Sequence, residues 1–375
     1  MSVPSTTRAL VLGSKSPRQL GDQTIQYHSA SVQDVPLPKA EVVVRILCAG
    51  FNHRELWIRK GLYPAIKEGS TMGADGCGIV VSGPDHLLNK RVLIVPMVGW
   101  ESHPRGPDGK WGIIGGVSYP TYGTLSEYVA LDAKSVILAP EHMSDEEAGA
   151  WGLGAVTAWR AVVTKAQIEK GHNVLITGIG GGVAMIALLF CVALGANVLV
   201  SSSNKQTIDW AVGLGAKGGV NYRDGKSPFL SQRSFQLIPR SIESWPKDLA
   251  ALLKEHNLNG LDAIIDSAGG DLLTKTGKIL NHGAKVVCYG MTASPSIPLS
   301  MPAVLKNIEL LGSTMGSTTE LKAATDFAAK HHLKPSVSTV LEGLENAEPG
   351  FELIQKGRES GKIVVRVAPK NGSKL

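Results

Sequence analysis

The segment with the most chemical content is Asn173-Val-Leu-Ile-Thr-Gly-Ile-Gly-Gly-Gly-Val-Ala184. An apolar run enters a glycine cluster and leaves as a second apolar run of helical texture. Glycines at such a turn let the backbone bend tightly and approach an anion. A helix that starts there aims its free N–H groups and positive dipole end at the same spot. That is the chemistry of a pyrophosphate site. The spacing is GxxGxxA, carried by Gly178, Gly181 and Ala184. A strict GxGxxG would need glycine where Val183 stands. Gly182 and Val183 then open the helix. A turn that merely packs a helix against a strand would use the same glycines, so the motif is read with its neighbours.

The next strand selects the nucleotide. Sites for NAD usually carry an acid about 20 residues on, where it bonds the ribose 2′-OH. Here the strand from Asn197 ends in Ser201-Ser202-Ser203-Asn204-Lys205, and the first carboxylate is Asp209. The hydroxyls of Ser202 and Ser203 and the ammonium of Lys205 suit a 2′-phosphate, which favours NADPH over NADH. The serines would serve equally as N-caps of the following helix.

Elements that must position these groups follow from the apolar pattern. Val42–Leu47, Gly78–Ser82, Arg91–Val95 and Ser126–Leu131 read as strands among Gly/Pro turns. Val98–Gly123 reads as a loop. From Asp145 onward, helical patterns alternate with apolar strands at Asn173–Thr177, Asn197–Ser201, Ala263–Asp266 and Lys285–Tyr289. That alternation predicts βαβ units and a parallel sheet. The polar stretch Arg223–Lys247 reads as a surface insertion before a helix at Asp248–His256. The tail reads as short strands ending in Lys362–Val367.

Composition narrows the class. The chain has 375 residues, enough for two or three domains. Its net charge of +6 includes no Lys/Arg block, so no nucleic-acid partner is expected. The longest apolar run, Val183–Val200, is interrupted by Gly195-Ala196-Asn197. It reads as a buried helix running into a strand, with no membrane span. Cys48, Cys77, Cys191 and Cys288 form no CxxC pair, which excludes a zinc finger and a disulfide scaffold. Ser373-Lys374-Leu375 matches the address read by the peroxisomal import receptor, so peroxisome is the expected location, with cytoplasm otherwise.

Several ordered motifs carry a family resemblance. They are Cys48-Ala-Gly-Phe-Asn52-His-Arg-Glu-Leu-Trp-Ile-Arg-Lys-Gly-Leu-Tyr63-Pro64, Met72-Gly-Ala-Asp-Gly-Cys-Gly-Ile-Val80, Gly123-Thr-Leu-Ser-Glu-Tyr128 and Gly154-Ala-Val-Thr-Ala-Trp-Arg160. After the glycine loop come Asp266-Ser-Ala-Gly-Gly270, Leu311-Gly-Ser-Thr-Met-Gly316 and Gly361-Lys-Ile-Val364. In this order the chain resembles the medium-chain dehydrogenase/reductase family, on its zinc-free quinone oxidoreductase and enoyl reductase branch. The resemblance implies an α/β protein of two domains. Residues 1–146, completed by 317–375, would form a GroES-like β-barrel catalytic domain, and 147–316 a Rossmann doubly wound sheet. It also implies a homodimer paired at the edge strand Ile308–Gly312.

The resemblance assigns roles residue by residue. Tyr63 falls where related enoyl reductases carry a proton-donating tyrosine; a tyrosine that only shapes the pocket is the alternative. Asn52 would orient substrate or the nicotinamide ribose, or simply precede a helix. Thr157 resembles the residue behind the nicotinamide ring, and Tyr222 a tyrosine that contacts the 2′-phosphate. Gly290 and Met291 follow a strand end, where such sheets bind ligands. In zinc alcohol dehydrogenases the metal takes a Cys, a His beside a Glu, and a second Cys. These positions hold Asn52, Ala74-Asp75 and Leu153 here, so no zinc is expected. His53, Glu55 and Asp75 are the substitute donor set. The implied function is NADPH-dependent hydride transfer to an enone, enoyl thioester or quinone. The alternatives are a zinc-independent carbonyl or alcohol oxidoreductase and a non-catalytic NADPH-binding protein.

Overall fold

The computed structural model describes residues 3–20, 23–223, 245–357 and 360–368. Most of the expected 223–247 insertion lies outside the described residues, and so do Ser373, Lys374 and Leu375. The chain divides into two compact units, 1–156 with 316–375 and 157–315.

The first unit opens with a long hairpin, β1 (Thr6–Leu20) and β2 (Gln23–Pro36). Then come β3 (Val42–Gly50), α1 (His53–Arg59), β4 (Asp75–Ser82) and β5 (Arg91–Ile94). The expected loop after Val98 contains a small ribbon, β6 (Met97–Val98) with β7 (Gly112–Ile113). β8 (Tyr128–Leu131) and β9 (Val136–Leu138) follow, then α2 (Asp145–Gly149) and α3 (Gly152–Trp159). β3 is buried along most of its length and has strand partners on both sides. The expected boundary at 146/147 falls ten residues before the observed one at 156/157. The reason is packing: a side chain at Gly149 would strike Cys48 on β3, and Leu153 N donates to Asp75 Oδ1 on β4 at 2.5 Å.

The second unit is built on β10 (Asn173–Ile176), α4 (Gly182–Ala193), β11 (Asn197–Ser202), α5 (Lys205–Gly213) and β12 (Gly218–Asn221). It continues with α6 (Trp245–Glu255), β13 (Leu261–Asp266), α7 (Leu272–Thr276), β14 (Leu280–Cys288), α8 (Met301–Leu305) and β15 (Glu309–Gly312). α6 begins three residues earlier than expected because Trp245 is buried in the core with Leu249 and Leu252. The six strands are parallel in the order β12-β11-β10-β13-β14-β15. Buried runs such as Val174-Leu175-Ile176 and Val198-Leu199-Val200 fill its centre, since helices cover both faces of such a sheet. α4 ends where Gly195 takes a left-handed turn (φ +84), and β11 follows at once. Among the described residues no helix is long and apolar enough to cross a membrane.

The tail returns to the first unit with α9 (Thr318–His331), β16 (Val337–Glu342), α10 (Glu348–Lys356) and β17 (Lys362–Arg366). The sequence reading expected only short strands here. Buried Leu321, Ala324, Thr325 and Ala328 recur at helical spacing in α9, behind a Ser317/Glu320 capping box. β17 lies inside the sheet β16-β17-β3-β4-β5-β9, with β8 also on β3, so residues far along the chain meet beside β3.

Candidate active site

In the second unit the chain runs outward from β10 to β12 and then reverses from β13 to β15. β10 and β13 therefore flank a topological switch point, where open parallel sheets bind ligands beyond their strand ends. The loop after β10 holds Gly178 at φ +63, and a side chain there would sit 2.9 Å from Ser267 Oγ. Ile179 N donates to Ser201 O at 3.1 Å and Gly181 N to Gly178 O at 3.0 Å. Gly181 is the N-cap of α4 in an extended conformation. The N–H groups of the first turn, Gly182, Val183 and Ala184, have no acceptor within the helix. That turn contains no acid, so an arriving diphosphate meets donors and the positive dipole end without a repelling charge.

The facing loop is tied to this one by Asp266 at the end of β13. Its buried carboxylate accepts from Thr177 Oγ1 (2.6 Å), Ala268 N (3.1 Å) and Gly269 N (2.8 Å). Ser267 N donates to Thr177 Oγ1 at 3.0 Å. Sequence reasoning gave Thr177 and Asp266 no role, because they lie 89 positions apart. Gly290 and Met291 join the same loops: Thr292 N bonds Ser267 O, and Gly269 packs against the exposed Met291. Gly290 O accepts from Cys288 Sγ at 3.0 Å. Thr157 is buried, with Oγ1 3.8 Å from Met315 Sδ.

At the end of β11, Ser202 is buried and its Oγ accepts from Asn204 N at 3.2 Å. Tyr222 N donates to Ser202 O at 3.0 Å, and Asn221 Nδ2 to Ser203 O at 3.3 Å, so Ser202, Ser203 and exposed Tyr222 gather at one edge. The N-cap of α5 is Asn204, whose side chain accepts from Gln206 N, and not one of the serines. Lys205 is already paired, with Nζ 2.5 Å from Asp209 Oδ2 one turn on.

In the first unit, Tyr63 lies in the turn after α1, with its ring 4.8 Å from the Arg54 guanidinium carbon. Arg54 is buried and fixed by Glu55 Oε1 (2.7 Å), Ile114 O (2.8 Å) and Gly115 O (2.8 Å). Glu55 Oε2 accepts from Asn52 N at 2.7 Å. Burial pushes the Glu55 carboxyl above its usual range, against the attraction of Arg54. Asn52 is the N-cap of α1. Its Nδ2 donates to Asp75 Oδ2 at 2.9 Å, and its Oδ1 accepts from Lys362 Nζ at 2.5 Å. Lys362 also donates to Asp75 Oδ2 at 2.8 Å. Lys362 is 4% and Asp75 0% exposed at the side chain. Lys362 belongs to the Gly361–Val364 motif, but nothing local marks it as a site residue.

The family's zinc can be tested against these residues. Ala74 and Leu153 offer no side-chain donor, and Asp75 and Asn52 are engaged by an ammonium. A dication at those oxygens would face a unit positive charge within bonding range. Glu55 is spent on Arg54 and on the Asn52 backbone, and the His53 ring lies against Trp57. Among the described residues no group of three His, Cys, Asp or Glu is placed to hold a metal. The residues present do not fit zinc.

A doubly wound nucleotide unit joined to a β-rich unit completed from the far end of the chain defines a class of oxidoreductase. Comparison with known proteins agrees. An alcohol dehydrogenase GroES-like domain model matches residues 38–141, and a zinc-binding dehydrogenase model matches 182–330. A zinc-type alcohol dehydrogenase-like protein, YogA, of Leptosphaeria maculans is 38% identical over 94% of this chain and 98% of its own. A solved NAD-dependent alcohol dehydrogenase superposes with a TM-score of 0.77 at 28% identity, over 96% of this chain and 100% of that one. A crotonyl-CoA carboxylase/reductase, AntE, in complex with NADP shares the fold with a TM-score of 0.80 at 18% identity, over 99% of this chain and 96% of that one. The chain belongs to the medium-chain dehydrogenase/reductase superfamily, and it is an alcohol dehydrogenase-like oxidoreductase.

Proposed function

We propose that the protein is an NADPH-dependent reductase that passes hydride to an activated C=C bond or a quinone without zinc. The observation that supports this reading is the Asn52–Asp75–Lys362 cluster, in which two of the positions that the resemblance assigns to zinc ligands are engaged by a buried ammonium. Alcohol oxidation needs the hydroxyl proton removed, by a base or with the help of a Lewis acid that lowers its pKa. A conjugated acceptor is already polarised by its own carbonyl, so it asks mainly for orientation and a hydrogen bond to the developing oxyanion. The crotonyl-CoA carboxylase/reductases that share this fold are compatible with an enoyl thioester substrate.

NADPH, when bound, supplies the hydride. Gly178, Gly181, Gly182 and Val183 would bind the diphosphate with backbone N–H groups. Ser203, Lys205 and Tyr222 would take the 2′-phosphate. Thr157, Gly290 and Met291 would border the nicotinamide half. As hydride reaches the β-carbon, the C=C electron pair moves toward the carbonyl oxygen. Tyr63 would donate its phenolic proton to the α-carbon of the enolate, which completes the saturated product, and would regain one from solvent. Asn52 offers an amide N–H to the enolate oxygen.

The test is NADPH and NADH consumption with quinones, enones and 2-enoyl-CoA esters, alongside aldehydes and ketones. Turnover of the conjugated acceptors with NADPH is expected. Turnover of simple carbonyls alone would move the reading to a carbonyl reductase. Tight NADPH binding with no turnover would leave a nucleotide-binding protein.

A further inference from the structure

Lys362 is the feature of the site that no sequence motif explains by itself. A lysine ammonium has donors only, and an ionised carboxylate has acceptors only. An amide placed between them has one satisfactory orientation, with oxygen toward the lysine and nitrogen toward the carboxylate. That is the arrangement here: Asn52 Oδ1 lies 2.5 Å from Lys362 Nζ, and Asn52 Nδ2 lies 2.9 Å from Asp75 Oδ2. Lys362 and Asp75 also bond each other at 2.8 Å, and Leu153 N holds the second Asp75 oxygen at 2.5 Å. Every partner of the amide is thus itself fixed. One Nδ2 proton goes to Asp75. The other meets no acceptor among the described residues, and Asn52 keeps part of its surface open.

We infer that Lys362 is a positioning residue that locks the Asn52 amide so that its spare N–H points to substrate, a buried ammonium serving the site in place of a metal ion. With the ammonium and the Asp75 charge it pairs with both removed, the amide can turn over and present its carbonyl oxygen, which repels a developing oxyanion. The loss then falls on the chemical step and leaves nucleotide binding alone. The effect on rate rests on the reductase reading above; the lock itself does not.

The experiment separates the two. Full-length protein is labelled with 15N-asparagine, and the Asn52 side-chain resonances are assigned through Asn52→Ser. Wild type, Lys362→Arg, Lys362→Met and the charge-neutral Asp75→Asn/Lys362→Met are compared. Removing one buried charge can unfold the chain, so the neutral double variant is the decisive one. The two amide protons should be widely split in wild type and in Lys362→Arg, and should approach free-amide values in the double variant. Unchanged resonances in a folded double variant overturn the inference. With whichever conjugated acceptor wild type reduces, kcat of the double variant should fall about 100- to 1,000-fold, the range of one lost oxyanion hydrogen bond. Its NADPH affinity should stay within about twofold, and Lys362→Arg should keep most of the rate. A folded double variant with wild-type kcat reduces Lys362 to a structural ion pair and overturns the positioning role. A wild type that reduces no conjugated acceptor defeats the proposed function alone, and the amide spectra still decide the lock.

Discussion

At the scale of single residues, the site depends on groups held in place by buried charge. Tyr63 lies against a guanidinium that three protein oxygens immobilise and is hydrogen-bonded to it, so Tyr63→Phe removes the hydroxyl together with that bond to Arg54 while keeping the ring. If Tyr63 is the proton donor, kcat falls about 100-fold while NADPH affinity stays put; an unchanged kcat assigns the ring to pocket shape. Asp209 shares the charge of Lys205, so under the proposed reading its contribution to the 2′-phosphate is modest. Lys205→Ala should lower the preference for NADPH over NADH by about fivefold, the worth of one exposed charge pair near 1 kcal/mol. Ratios of kcat/KM for the two nucleotides measure this, and an unchanged ratio places the phosphate elsewhere. Tyr63, Asn52 and the serines were legible as candidates, since each follows a recognisable local motif. Lys362 was not, since its partners lie 310 and 287 positions away.

At the scale of elements, the glycine loop and the return of the tail matter most. Gly178 combines a positive φ with a neighbour 2.9 Å from any side chain. Gly178→Ala should therefore cost about 1–2 kcal/mol in backbone strain and weaken nucleotide binding as well. Thermal unfolding with and without NADPH reports both effects, and an unshifted midpoint would show that the loop relaxes freely. The tail is held by Glu348 of α10, which accepts from Arg59 of α1 at 2.9 and 3.1 Å and from Arg18 of β1 at 2.8 Å. Burial raises the Glu348 carboxyl, but the bonds from Arg59 and Arg18 outweigh it and hold the pKa below the usual value. A depressed carboxylate stabilises the fold above its unfolded pKa of about 4.3. That stability is lost as pH falls through the lower folded value. Glu348→Gln should lower the melting point at pH 7, and the gap from wild type should close below about pH 4. A gap constant from pH 7 to pH 3 would rule out the ion pairs as its source.

At the scale of the whole molecule, β15 is one of the two edge strands of the six-stranded sheet. Just before it, α8 carries Met301 and Leu305 at 65% and 69% exposure. We propose that a second copy of the chain covers this edge, since apolar residues beside an unpaired strand fit a two-fold contact. Leu305→Asp should convert a dimer to a monomer in light scattering. A monomeric wild type would remove the proposal. The parallel-sheet region was readable from texture, because βαβ alternation repeats over short distances; the division into two units came from the family resemblance. The boundary was not readable, because α2 and the start of α3 look like entry to the second unit while their contacts lie with β3 and β4.

By itself the sequence determined what depends on neighbours within a turn or a strand: the glycine loop, the serine and lysine at the next strand end, and the alternation of strands and helices, while the family resemblance supplied the positions at which zinc ligands are replaced. The tertiary structure alone decided what fills the place those ligands left. Asn52, Asp75 and Lys362 meet because β17 inserts beside β3 and β4. A contact made by sheet pairing across most of the chain leaves no local pattern, yet here it decides which atom of the Asn52 amide is free.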